Sequence, residues 1–439
     1  MSARLRVAVV ARAVMPLHGV GGLERSVRDL VRHLAARGVD VTLITPPPPT
    51  IRREAAADPF GSPRIALRHV NYVTFPFANR RGTTILDRST AYLLFGYRAG
   101  RLALSLVGRD EVDIVHGFGA SVLGYAIARA HARRGHRGGA ASPRATAPLV
   151  FNPQGLEEFG STAGSQPWLK RVGYWPLRRA VRRCANGADC IIATDQSLEA
   201  TVTRHLQPRP GQMRTIPNGI DLSEAAAMAG PAEGAIIRQR YGIPPGETIL
   251  LSVGRLESNK GLDVLAAALG RARVSPALSA AGWRWVIVGA GPARQQIEAA
   301  IAAHGLGSHT IFVGRAADAD LHGWYEAASL FVHPTRYEGS SLVTLEAMAH
   351  RRPILATRAG GLPDKIRQGD NGWLVEPGDV EGLAKAIEDA ATDRAWFPAM
   401  GAKSREIVER EFSWAVLVDK QIEVYEDLLR QKAEGTRQK

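Results

Sequence analysis

Short runs of β-branched and aliphatic residues, each closed by a glycine or polar turn and followed by a stretch of helical period, recur along the chain. That alternation restricts the fold more than any other feature, because such runs bury both faces only as parallel strands covered by crossover helices. In the first half it predicts strands at Leu5–Ala11, Val41–Thr45, Asp113–His116, Leu149–Phe151 and Cys190–Thr194, and a helix at Gly22–Arg37. Residues 131–148, mixed in His, Arg, Gly, Ala, Ser and Pro, read as a loop. The second half repeats the pattern, with strands expected at Thr248–Val253, Trp285–Val288, Thr310–Val313, Leu330–His333, Pro353–Thr357 and Gly372–Val375. Helices there should begin near Gly261, Pro292, Asp320, Ser340 and Val380. At 439 residues the chain exceeds one ordinary core, so two α/β domains are expected. The turn-rich Ile216-Pro217-Asn218-Gly219-Ile220-Asp221 is their natural hinge. Two such domains facing one another would hold a ligand in a cleft at the carboxyl ends of their strands.

Composition removes several classes. With 45% hydrophobic and 22% charged residues the composition is that of a soluble globular protein and excludes global disorder. Two cysteines, Cys184 and Cys190, cannot staple a chain this long and have no metal-type spacing. Such cysteine usage makes a reducing cytoplasm the expected compartment, and no apolar run is long enough to span a bilayer. The formal charge of +14 is uneven: residues 1–220 carry +17 and residues 221–439 carry −3.

The segment most suggestive of chemistry is Tyr337-Glu338-Gly339-Ser340-Ser341-Leu342-Val343-Thr344-Leu345-Glu346-Ala347-Met348-Ala349. It follows a strand and opens a helix, which places Glu338 at the strand's carboxyl end. Glu346 falls in the apolar stripe of Leu342, Leu345, Met348 and Ala349. A carboxylate facing a core needs a partner, and a ribose diol or a buried Arg would each serve. Arg255 and Lys260, five residues apart after the strand ending at Gly254, suit a diphosphate at a helix N-terminus, or form an exposed basic loop. Gly289-Ala290-Gly291-Pro292 is a strand-to-helix turn whose glycines let backbone approach a nucleotide or merely tighten the connection. The loop Gly21-Gly22-Leu23-Glu24 resembles it but lacks the third glycine of a dinucleotide fingerprint, and Thr45 closes the second strand with no acid. A nicotinamide enzyme is therefore disfavoured. His116, at a strand end before a glycine turn, is either structural or catalytic.

Together, the Glu338/Glu346 E-x7-E element with Ala347-Met348-Ala349, Gly254-Arg255-Leu256, Lys260-Gly261, Gly289–Pro292, Gly21–Glu24 and Pro217–Asp221 resemble a retaining GT-B glycosyltransferase of family 4 (glycosyltransferase group 1). The resemblance implies an α/β GT-B fold of two Rossmann-like domains facing across a cleft. Residues 1–216 would form the acceptor side, completed by a C-terminal helix at about 412–432, and residues 221–411 the nucleotide-sugar side. It implies that Arg255 and Lys260 hold the donor diphosphate and stabilise the leaving nucleotide. Glu338 would meet hydroxyls of the donor sugar, Glu346 the ribose, and His116 the donor sugar as well. Gly289, Gly291, Ser340, Ser341 and Leu342 would line the donor, although the family pattern often has an aromatic and a Gly where Ser340 and Ser341 stand. Gly21, Gly22 and Gln154 would lie on the phosphate or acceptor side. No metal and no cofactor are expected, the nucleotide sugar being a substrate. The implied activity is hexosyl transfer from a UDP- or GDP-linked donor to a carbohydrate or lipid-linked acceptor, in envelope or polysaccharide biosynthesis.

Residues Trp168–Arg183 interleave aromatics with six cations and contain no acid. They read either as a surface for anionic lipid at the inner face of a membrane, or as a solvated helix face with a few core aromatics. Pro176 argues against one continuous helix. Nucleic acid is not expected, since no recognition motif accompanies the charge. Two rival functions remain at this level: a sugar-nucleotide epimerase, and a non-catalytic binder of anionic glycolipid.

Overall fold

The computed structural model describes residues 4–19, 21–49, 59–73, 83–135, 147–160, 168–272, 276–279 and 282–437. The chain divides into two compact units, Met1–Pro217 with Leu417–Lys439, and Asn218–Val416. The first holds a seven-stranded parallel sheet built from β1 (Arg6–Val10), β2 (Asp40–Thr45), β3 (Ile65–His69), β4 (Ile114–Phe118), β5 (Leu149–Asn152), β6 (Cys190–Ala193) and β7 (Met213–Thr215). Its order is β3-β2-β1-β4-β5-β6-β7. The second holds a six-stranded parallel sheet of β8 (Thr248–Val253), β9 (Trp283–Val288), β10 (Thr310–Gly314), β11 (Leu330–His333), β12 (Ile354–Thr357) and β13 (Gly372–Val375), in the order β10-β9-β8-β11-β12-β13. Strand direction of progression reverses between β1 and β4 in one sheet and between β8 and β11 in the other. These are the switch points at which doubly wound sheets leave a crevice beyond their strand ends.

Most of the expected strands are buried on both faces. β1, β4, β8, β11 and β12 carry almost no exposed side chain. Register is fixed at the first switch point by Val9 opposite His116 and Val10 opposite Gly117. At the second it is fixed by Leu250 opposite Leu330 and Leu251 opposite Phe331. Inside the second sheet Trp285 Nε1 donates to Ser252 Oγ at 3.2 Å, and that hydroxyl donates to the Val332 carbonyl at 2.9 Å. The buried indole thereby satisfies its one donor.

Several elements differ from the sequence reading. β3 and β7 were not expected. β3 alternates half-buried and exposed residues, as an edge strand does, and β7 has only three residues. Residues 131–135 close the helix Leu123–Gly135 instead of opening a loop, and residues 136–146 lie outside the described residues. Trp168–Arg183 agrees with the reading: it is broken in two helices, Trp168–Gly173 and Trp175–Gly187, with Pro176 in the first turn of the second, where its missing N–H costs nothing.

Candidate functional site

Residues from both strand ends meet at the switch point of the second unit. Lys260 Nζ donates to Glu338 Oε2 at 2.7 Å, and His333 Nε2 lies 2.7 Å from the same oxygen. His333 is the last residue of β11 and is buried. Burial pushes the Glu338 carboxyl up, but its hydrogen bond to His333 and the charges of His333 and Lys260 outweigh that and hold it down at about 2. Glu338 is thus ionised at neutral pH. Two laced loops fix the pair. Arg336 forks onto Asp263 at 2.9 and 2.7 Å, and its backbone N–H donates to the Asn259 carbonyl at 2.7 Å. Gly261, at φ 66°, lies so close to Pro334 that a Cβ would stand 2.0 Å from its carbonyl oxygen. The loop bearing Lys260 therefore cannot reach Glu338 with any other residue at that position.

Arg255 is in a different state. Its side chain is 77% exposed and pairs with Glu257 at 2.6 Å, whereas Lys260 is largely enclosed. The two cations that the sequence suggests as one clamp are thus one exposed arm paired with Glu257 and one enclosed charge. Gly289 and Gly291 also differ from their expected part. A Cβ at Gly289 would stand 1.8 Å from the Gly254 carbonyl oxygen, and one at Gly291 would stand 2.3 Å from that of Leu256. Their missing side chains face the loop that carries Arg255, so what these glycines admit is protein backbone.

Glu346 lies in the helix Leu342–Ala349 and is buried. Tyr325 Oη donates to its Oε2 at 2.8 Å. The Tyr325 ring stacks on His350, whose Nδ1 lies 2.6 Å from Glu326 Oε1 and whose Nε2 lies 2.7 Å from His322 Nδ1. A buried polar chain thus backs the carboxylate. Of the expected stripe, Leu345, Met348 and Ala349 are buried and Leu342 is half-buried. Ser341 caps the helix by position, without a side-chain hydrogen bond to the backbone, and accepts from Thr344 Oγ1 at 2.9 Å. Ser340 Oγ is buried without a partner among the described residues.

In the first unit His116 is on β4 at the switch point, buried and stacked on Phe118 with ring centroids 4.8 Å apart. Its Nδ1 lies 2.7 Å from Tyr425 Oη, and its Nε2 has no partner among the described residues. Burial lowers its pKa to about 3, so the ring is neutral. Gly21 is the N-cap of the helix Gly22–Ala36, and a Cβ there would stand 2.2 Å from Glu24 Oε2. The Glu24 carboxylate therefore occupies the approach that the sequence reading left to a phosphate. Val20, beside it, lies outside the described residues. Gln154, at φ 63°, is folded back onto Asn152, whose Oδ1 accepts from its backbone N at 3.1 Å and its Nε2 at 2.9 Å.

Sequence reasoning had not singled out His333, Arg336 or Tyr325. His333 ends an apolar strand and Tyr325 follows a buried Trp324, so both read as core. Arg336 lies two residues before Glu338 and was the one with a signal, a cation in a loop at a strand end.

Residues 20–224 match the family described as Glycosyltransferase Family 4, and residues 247–393 match Glycosyl transferases group 1. A GDP-mannose-dependent alpha-(1-6)-phosphatidylinositol monomannoside mannosyltransferase of Mycobacterium tuberculosis is 30% identical over 64% of this chain and 73% of its own. The chain is a family 4 glycosyltransferase. This glycosyltransferase is also 27% identical to a D-inositol 3-phosphate glycosyltransferase of Acidothermus cellulolyticus, over 99% of this chain and 93% of that one. Its fold matches sucrose-phosphate synthase from Thermosynechococcus elongatus with a TM-score of 0.70 at 24% identity, covering 98% of this chain and 100% of that one. It also matches Anabaena HepE in complex with UDP-glucose, with a TM-score of 0.65 at 18% identity over 97% and 100% of the two chains. The fold is GT-B. Among the described residues no helix is long and apolar enough to cross a membrane.

Proposed function

We propose that this glycosyltransferase moves a sugar, with retention, from a UDP- or GDP-linked donor to a carbohydrate or lipid-linked acceptor, in cell-envelope or polysaccharide biosynthesis. The observation that carries the reading is the Lys260–Glu338–His333 group beyond the β8 and β11 ends, with the buried Glu346 in the helix that follows. Lys260 and His333 hold Glu338 ionised, so it accepts hydrogen bonds from sugar hydroxyls. Lys260, fixed by that contact, stabilises charge that grows on the departing diphosphate, and the exposed Arg255 leaves Glu257 to join it. Glu346 receives the ribose hydroxyls. The neutral His116 offers Nε2 to the donor sugar, its Nδ1 being taken by Tyr425. These cations supply the charge that a metal would supply elsewhere. Donors of both base types are included because a relative is named as GDP-mannose-dependent and a structural neighbour holds UDP-glucose.

A thermal-shift panel of UDP- and GDP-sugars identifies the donor, since a ligand at 100 times its dissociation constant stabilises by about 2.7 kcal/mol. With that donor, Lys260→Ala should lower kcat by ~10²–10³. Product with the donor's anomeric configuration, read by NMR, is the expected outcome. Inverted product overturns retention, and near-normal turnover of Lys260→Ala overturns the role of Lys260.

A further inference from the structure

The helix Trp168–Gly173 buries none of its residues. Trp168 is 70% exposed, Leu169 64%, Val172 63% and Trp175, which opens the next helix, 59%. A six-residue helix is marginal in water without an apolar face packed on something. Among the described residues its side-chain hydrogen bonds fall near its C-terminal end, where Ser89 Oγ donates to the Gly173 carbonyl at 2.6 Å and Arg178 donates to the Arg171 carbonyl. Leu86, one turn before Ser89 on the neighbouring helix Thr83–Ser89, is also exposed. The reading of Trp168 and Trp175 as core aromatics is therefore excluded.

Charge surrounds the apolar residues. Lys170, Arg171, Arg179, Arg182 and Arg183 are exposed. The helix Trp175–Gly187 buries Leu177, Ala180, Val181 and Cys184 and turns its arginines outward. The cations crowd one another: after burial, repulsion from Arg171 and Arg182 depresses the Arg178 pKa. Of the nearby acids, Glu157 is paired with Arg88 at 2.9 Å and Glu158 is buried.

We infer that Trp168, Leu169, Val172 and Trp175, with the cations around them, dock this glycosyltransferase on an anionic lipid bilayer. Trp and aliphatic side chains enter the headgroup boundary while Lys and Arg stay with the phosphates, a division of labour that their amphipathic shapes permit. A second copy of the chain is a poor occupant, because a two-fold contact would set six cations against six with no acid between them. Single-stranded nucleic acid would stack on the two indoles but has no use for Leu169 and Val172. The inference stands on this surface and is independent of the donor assignment.

The test is sedimentation of the full chain with vesicles of 70% phosphatidylcholine and 30% phosphatidylglycerol, and with pure phosphatidylcholine. The wild type should bind the anionic vesicles with a blue shift of tryptophan emission and leave the neutral ones unbound. W168S/L169S/V172S and K170Q/R171Q/R179Q should each lower that affinity, the charge variant by roughly 10². Both alter exposed side chains only, so donor binding and the melting temperature should be unchanged. Equal binding of either variant, equal binding to neutral vesicles, oligomers that the apolar variant dissociates without any vesicle binding, or binding to oligonucleotides in place of vesicles would each overturn the inference.

Discussion

At the scale of single residues, the two carboxylates of the E-x7-E element are held by opposite means. Glu338 is satisfied by cationic or ring donors from its own strand end and the β8 loop, while Glu346 leans on the Tyr325 hydroxyl. Tyr325 is a positioning residue: it touches Glu346 and is itself fully buried. A hydrogen bond to a charged group contributes about 1.5–3 kcal/mol. Tyr325→Phe should therefore raise the donor KM by about 10-fold with kcat nearly unchanged, and Tyr325→Phe/Glu346→Gln should be no worse than Glu346→Gln alone. Steady-state kinetics on the four proteins decide it; an additive double mutant would show that Tyr325 acts elsewhere. Glu338, Glu346 and Lys260 were legible in the sequence because charge at a strand end or in an apolar stripe contradicts its surroundings. Histidine at the end of Leu330–His333 creates no such contradiction, and its contact with Glu338 exists only once the loop 334–338 closes back.

At the scale of elements, strands made of an unbroken apolar run were legible, the edge strands β10 and β13 among them, whereas β3, which alternates half-buried and exposed residues, and β7, with only three residues, were not. The long helix Ala91–Gly108 also escaped notice. It has no acid and its small and large apolar residues alternate without a clear polar face, because it packs closely on the helix Leu123–Gly135. The glycines after β9 were legible as a turn, yet their contact was not, since steric fit to Gly254 and Leu256 depends on a loop from another strand. That fit makes Gly289→Ala a test of the loop's role. At φ 139° a Cβ is strained, and here it would meet backbone at 1.8 Å. The expected cost is at least ~2 kcal/mol of stability. The Arg255 loop must also shift, so donor affinity should fall more than in Ala290→Gly, which leaves both glycines in place. Differential scanning calorimetry and donor titration measure the two effects, and an unchanged melting temperature would reject the close approach.

At the scale of the whole chain, segment 417–439 belongs to the first unit although it follows the second in sequence. It carries five cations and five acids, so the first unit keeps the +17 of the N-terminal half and the second the remaining −3. Its helix, Trp414–Arg437, buries Leu417, Val418 and Leu428, and Tyr425 Oη meets His116. Outside the buried set, Arg37 pairs with Asp419 at 2.8 Å, an exposed contact of little weight. Each aliphatic side chain contributes about 1.5–3 kcal/mol on burial and the Tyr425 hydrogen bond adds about 1 kcal/mol. Their sum is comparable to the roughly 5–15 kcal/mol that holds an ordinary domain together. A chain ending at residue 416 should therefore leave β1–β7 unprotected in amide hydrogen exchange. β8–β13 should stay protected, because the pairing of Ile220 with Ser413 lies within the second unit and survives the cut. Protection of β1–β7 equal to that in the full chain would show that the first unit closes its core without the returning helix.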